Sequence, residues 1–196
     1  MVQLLDARMK AKVVNKALQD EDFSRALFGD PKKTLKDTFG IDISERTVIH
    51  VLRQTRDHSD FIIPLRPEEI TENMSENQII ERLTRDMPRI SDKLADIIDI
   101  STRILAKAWT SREFLDRFEK DPKAVINTEK NGCIPENVEM VARIEDENTL
   151  YIAIPEFGSD SELTDDELGM VSGGISPPDL VQVCMFIIFS AIAAGW

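Results

Sequence analysis

The side chains able to do chemistry are few and lie far apart. In the C-terminal segment, residues 175–196, Cys184 is the one strong nucleophile, Ser176 and Ser190 are the only hydroxyl residues, and threonine is absent. Dehydration of a serine followed by attack of the Cys184 thiol would close a lanthionine ring. Cyclodehydration of the backbone at Cys184 would instead give a thiazole-type ring. Both reactions are done to the chain and not by it; the plainer alternative makes Cys184 an apolar filler. Cys133 is as isolated as Cys184, with no second cysteine within ten residues and neither His50 nor His58 nearby in sequence. Soft-ligand metal sites need several close donors, so no metal and no other cofactor is expected. No nucleophile elbow, P-loop or dinucleotide fingerprint is present, and no catalytic residue is assigned. The carboxylates read as solvated helix faces, His50 as a strand residue and His58 as a turn residue.

The densest local signal lies at residues 163–174, Leu-Thr-Asp-Asp-Glu-Leu-Gly-Met-Val-Ser-Gly-Gly. Thr164 and Glu167 stand at capping-box spacing, and Leu163 and Leu168 at hydrophobic-staple spacing. Asp165 and Asp166 fill a first turn, where the helix dipole favours negative charge. Met170 and Val171 extend the apolar arc, and Gly173-Gly174 ends the helix. Beyond the glycines the chain changes character. The body is densely charged, whereas residues 175–196 carry one charge, Asp179. A charged body, a self-capped helix, a Gly-Gly and an apolar tail form a leader-and-core layout. A protease with a narrow cleft can demand residues without side chains at the cut, while the apolar face of the helix supplies binding energy. The alternative is a capped surface helix followed by a linker.

This arrangement resembles the double-glycine leaders of bacterial peptide natural products, in which a cysteine peptidase domain fused to an ABC exporter cuts after the second glycine. The resemblance implies that Leu163, Glu167, Leu168, Val171, Gly173 and Gly174 are recognition residues, with the cut after Gly174.

Composition narrows the remaining classes. The net charge of −12 argues against nucleic acid and against anionic membrane surfaces as partners. The N-terminus has no apolar run of signal-peptide length, so a cytoplasmic precursor is expected, with any export using another address. The longest apolar run, residues 183–194 with only Ser190 interrupting, falls short of the about 20 residues a membrane-spanning helix needs. Two cysteines give no disulfide framework.

The elements of the body recur with a period of 91 residues. Lys16-Ala17 matches Lys107-Ala108, Phe23 matches Phe114, Asp30-Pro31-Lys32 matches Asp121-Pro122-Lys123, and Pro64 matches Pro155, without insertion. Each copy predicts an amphipathic helix (3–18 and 92–108), a short helix (21–28 and 111–119), and a third helix opened by Asp-Pro and ending near Gly40 or Gly132. Strands are predicted at 48–52 with 61–63, and at 138–144 with 150–154, joined by polar turns at 56–59 and 145–148. Neighbouring strands read as a β-hairpin. The fold class is therefore α+β, two tandem copies of a helices-then-hairpin unit. A lone hairpin is marginal, so each must pack on its helices or on the other copy. The expected divisions are a first repeat at 1–65, a charged helical connector at 66–91, a second repeat at 92–155, a linker with the recognition helix and Gly-Gly at 156–174, and the core at 175–196.

The signature Phe23, Asp30-Pro31, Ile43, strand, Pro64, repeated as Phe114, Asp121-Pro122, Ile134, strand, Pro155, resembles the nitrile hydratase α-subunit-like leader peptide of proteusin-type precursors. The resemblance covers nearly all of residues 1–174. Family leaders often carry one such unit; two is a departure, and the copy at 92–155 is taken as the enzyme-binding one for its proximity to the cut. The family hosts radical enzymes that epimerise residues, and the run 181–189 would suit them. The resemblance implies a peptide-maturation enzyme and a cysteine-peptidase ABC exporter as partners, an exported core and no activity of its own. An apolar peptide ending in Trp196 would favour a membrane interface. Two competitors remain: an interaction protein with a permanent apolar docking or membrane tail, and a nitrile hydratase-like metal enzyme.

Overall fold

The structure is a computed structural model that describes residues 7–55, 57–85, 92–129, 134 and 136–155. The same order of elements appears twice. The first half comprises α1 (Ala7–Gln19), α2 (Glu21–Gly29), α3 (Pro31–Phe39), β1 (Val48–Gln54) and β2 (His58–Ile63). After α4 (Glu76–Thr84) the second half comprises α5 (Asp92–Thr110), α6 (Arg112–Lys120), α7 (Pro122–Glu129), β3 (Glu139–Ile144) and β4 (Thr149–Pro155). This mixture of helix and strand is the α+β class read from the sequence.

The two halves are built by the same local physics. Asp20 caps α2 by accepting from the Phe23 N–H at 2.9 Å, and Ser111 caps α6 by accepting from the Phe114 N–H at 3.2 Å. Asp30 and Asp121 cap the third helices in the same way, from Lys33 N–H at 3.0 Å and Ala124 N–H at 2.9 Å. Pro31 and Pro122 then occupy the first helical position, where a missing N–H costs nothing. Gly40 ends α3 at φ 69°, in the left-handed region that favours glycine; the expected end near Gly132 lies outside the described residues. Lys32 ties α3 to the following loop through the carbonyls of Ser44 and Glu45, and Lys123 repeats the tie to Glu136 and Val138. The connector helix α4 opens with a capping box of Ser75 and Gln78.

The strands occur where predicted, but the hairpins do not form. Strand β2 begins at His58, so His58 and Ser59 belong to the strand and not to the turn. Each strand pairs with one from the other half, and both pairs are parallel. Strand β1 lies beside β4, from Val48 opposite Thr149 to Gln54 opposite Pro155. Strand β2 lies beside β3, from His58 opposite Glu139 to Ile63 opposite Ile144. Burial explains the exchange. Parallel strands are covered on both faces and read as continuous apolar runs, not alternations. Phe61-Ile62-Ile63 is such a run, and all three residues are buried.

Each apolar core consequently draws on both halves. Val13, Leu27 and Leu35 of the first-half helices pack with Leu150, Ile152 and Ile154 of β4. Ile104, Phe114 and Phe118 of the second-half helices pack with Phe61, Ile62 and Ile63 of β2. The Phe61 and Phe118 rings meet edge to face with centroids 5.1 Å apart.

Two outcomes are expected. Phe61→Ala should cost about 3–5 kcal/mol in urea unfolding, and hydrogen exchange should show the loss in α6, which belongs to the other half. The Asp20 carboxyl is held below its ordinary range, first by the Phe23 N–H and then by Lys16. A depressed carboxylate stabilises the fold above the ordinary aspartate range, and that contribution is lost as pH falls through and below it. The start of α2 should therefore exchange faster below about pH 4, while α6, capped by the Ser111 hydroxyl, should not show this onset.

Candidate functional site

The exchange of strands brings polar side chains from both halves into one buried seam. Gln54 ends β1, and its Oε1 accepts the Asp60 N–H at 2.7 Å. Glu145 follows β3, and its Oε1 accepts the Tyr151 N–H at 2.8 Å. Gln54 and Glu145 stand 91 residues apart, as do Asp60 and Tyr151, so one device closes both turns. Each side chain satisfies a backbone donor that would be costly to bury unpaired.

Around this device the charges differ. Asp60 lies in β2 with its side chain only 2% exposed, and Arg143 from β3 donates Nε to it at 2.7 Å. Gln54 Nε2 donates to the other Asp60 oxygen at 3.3 Å, and His58 Nε2 lies 3.3 Å from it. The opposite ring nitrogen of His58, Nδ1, is 3.2 Å from Glu139 on β3. Lys10 on α1 and Glu145 form a buried ion pair across the halves, their side chains 5% and 3% exposed. His50 stacks on its cross-strand partner Tyr151 at 5.2 Å between ring centroids.

The chemistry of this seam is that of holding. The Asp60 oxygens are occupied by an amide, a guanidinium and an imidazole, and Glu145 by an ammonium and a backbone N–H. Among the described residues no three His, Cys, Asp or Glu side chains gather as metal ligands would. His50 takes the strand role read for it, whereas His58, read as a turn residue, is structural from within β2. Asp60 and Arg143 are not legible as a pair in the sequence, because an aspartate beside a short strand reads as solvent-facing until its partner strand is known. Leu163, Glu167, Leu168, Val171, Gly173 and Gly174 lie outside the described residues, as do Ser176, Cys184, Ser190 and Cys133. Among the described residues no helix is long and apolar enough to cross a membrane.

A groove of about 750 Å³ in the first half is lined by Phe23, Ala26 and Gly29 of α2 and Thr34 and Thr38 of α3, and flanked by Lys16. In the second half Glu129 replaces Thr38, and Lys107 binds it at 2.6 and 2.7 Å.

A family model described as nitrile hydratase, alpha chain, matches residues 18–89. The chain is 30% identical over 103 residues to Polytheonamide B of Bacterium symbiont subsp. Theonella swinhoei (strain pTSMAC1), an alignment spanning 48% of this chain and 68% of the relative. The chain belongs to the nitrile hydratase α-subunit-like leader peptide family. It is a precursor of the proteusin type, a ribosomally made peptide destined for modification. Membership implies maturation enzymes as the partners of the precursor in general terms. The matched residues 18–89 run from α1 through α4, so they include β2 but not the β3 strand on which it pairs.

The buried pair offers a sharp check on the seam. Lys10→Ser in the precursor removes the partner of a buried Glu145 and should cost about 3–5 kcal/mol. Adding Glu145→Gln should recover much of that loss, because a glutamine still accepts from the Tyr151 N–H as Gln54 does from Asp60. Chemical denaturation of the single and double variants makes the comparison.

Proposed function

We propose that residues 1–174 are a folded recognition handle for a peptide-maturation enzyme and a peptidase-containing ABC exporter, and that cleavage after Gly174 releases residues 175–196 as the product. The observation that carries this reading is the coincidence of family membership with an abrupt loss of charge at Gly173-Gly174. On this reading the repeats at 1–65 and 92–155 and the connector at 66–91 form the handle, and residues 156–174 present the cut site. Leu163, Glu167, Leu168 and Val171 dock the peptidase, while Gly173 and Gly174 pass its narrow cleft. Cys184, Ser176 and Ser190 are the side chains that a ring-forming enzyme would use. The precursor stays in the cytoplasm until it is cut, and the released segment leaves the cell and acts at a membrane interface.

The body supports this reading in one further respect. Its polar seam is engaged with itself, which suits a scaffold that is read by other proteins. Because β2 completes the second-half core and β4 the first-half core, a partner meets surfaces that depend on both halves.

The exact mass of the C-terminal product from the native producer tests the proposal. A product beginning at Ile175 is expected, and the same mass reports any loss of water or hydrogen; an intact chain that is never cut would refute it. Gly174→Phe should reduce release at least about tenfold while leaving urea unfolding of the body unchanged. Removal of residues 1–65 should also abolish maturation, although they are remote in sequence from the cut.

A further inference from the structure

The pairing between the halves is symmetric in geometry. Val48 lies opposite Thr149 and His58 opposite Glu139; shifting either pair by the 91-residue period gives the other. Hydrogen bonds follow the same rule: the Val48 N–H donates to the Asn148 carbonyl at 2.6 Å and the Glu139 N–H to the Asp57 carbonyl at 2.8 Å. This is the geometry of a two-fold, self-complementary interface, in which the same patch serves both sides. The backbone alone would therefore let two first halves, or two second halves, pair with each other.

The side chains do not share that symmetry. Among the described residues three ion pairs cross between the halves: Lys10 with Glu145, Asp60 with Arg143 and His58 with Glu139. The positions 91 residues away hold Ser101 with Gln54, Tyr151 with Leu52 and Thr149 with Val48, all without formal charge. Each of these three pairs exists on one side of the pseudo-dyad only. In a pairing of two first halves, Lys10 would face Gln54, Asp60 would face Leu52 and His58 would face Val48. In a pairing of two second halves, Glu145 would face Ser101, Arg143 would face Tyr151 and Glu139 would face Thr149. Either self-pairing would break all three contacts twice, leaving Asp60 or Glu145 buried without its cation. A buried charge stripped of its partner is strongly unfavourable.

We propose that the seam is a selective lock. The first half accepts the second half as its strand-exchange partner and rejects a copy of itself, and the second half does the same. Attraction in the mixed pair and uncompensated burial in the matched pairs both contribute to the discrimination. The two halves thus behave as a tethered heterodimer whose subunits cannot stand in for one another.

The test uses the full chain with a specific protease site placed between residues 86 and 91. The folded protein is cut, unfolded in urea, refolded, and weighed by native mass spectrometry. Reassembly as one first half with one second half is expected, with each homodimer below about a tenth of the heterodimer. Homodimers in statistical proportion would overturn the proposal, and so would fragments that stay apart. A second chain carrying K10S, E145Q, D60N and R143L is treated likewise. The ratio of each homodimer to the heterodimer should rise from the parent's value toward the statistical one, about one half; an unchanged ratio would overturn the lock. Should that variant fail to refold, the parent experiment decides alone.

Discussion

The structure depends on one constraint: neither half can cover its own helices with its own strands. The first strand of each half stays with its helices, and the second crosses to the other half. An isolated two-stranded ribbon is marginal in water. Exchange turns two such ribbons into parallel pairs backed by helices, and it buries the apolar run of β2 that a solvated hairpin would leave half exposed. The connection from β2 to β3 has to be long, as parallel pairing requires; α4 to α7 supply it. Helix α4 belongs to this logic, since Ile79 and Leu83 join the same core as Phe61 and Phe118.

A crossing of this kind forces polar atoms inside. The Asp60 N–H of β2 and the Tyr151 N–H of β4 need acceptors, and Gln54 at the end of β1 and Glu145 just after β3 provide them. One of these acceptors is an amide and the other a carboxylate. The carboxylate requires a cation, which Lys10 brings from α1. Asp60 requires another, which Arg143 brings from β3. Buried ion pairs of this kind add little net stability over apolar packing, yet they penalise mispairing heavily. Their value lies in choosing a partner, which a duplicated sequence needs more than an unrepeated one.

These features suit a precursor whose body is handled by other proteins. A leader read by an enzyme must present its surface reproducibly, and interlocked cores make each half a condition for the other. The relation to a hydratase α chain rests on residues 18–89, from α1 through α4. The polar side chains of the described seam serve one another, and the proposed sites of modification stand in the apolar segment beyond Gly174.

Local physics made much of this legible in the sequence. Asp30 and Asp121 announced the third helices as caps, Pro31 and Pro122 fixed where those helices start, and Gly40 marked an end that only a residue without a side chain reaches easily; that Asp20 and Ser111 cap the second helices showed only in the structure. The 91-residue period set the order of elements in both halves, because each anchor states a short-range preference that recurs unchanged. Pairing was decided elsewhere. Strand partners are chosen by what each face buries, and Val48 finds Thr149 across most of the chain, a choice no neighbouring residue records. The seam was hidden for the same reason. Lys10 and Glu145, or Asp60 and Arg143, are unremarkable charges in sequence and become a site only when the fold removes water from between them.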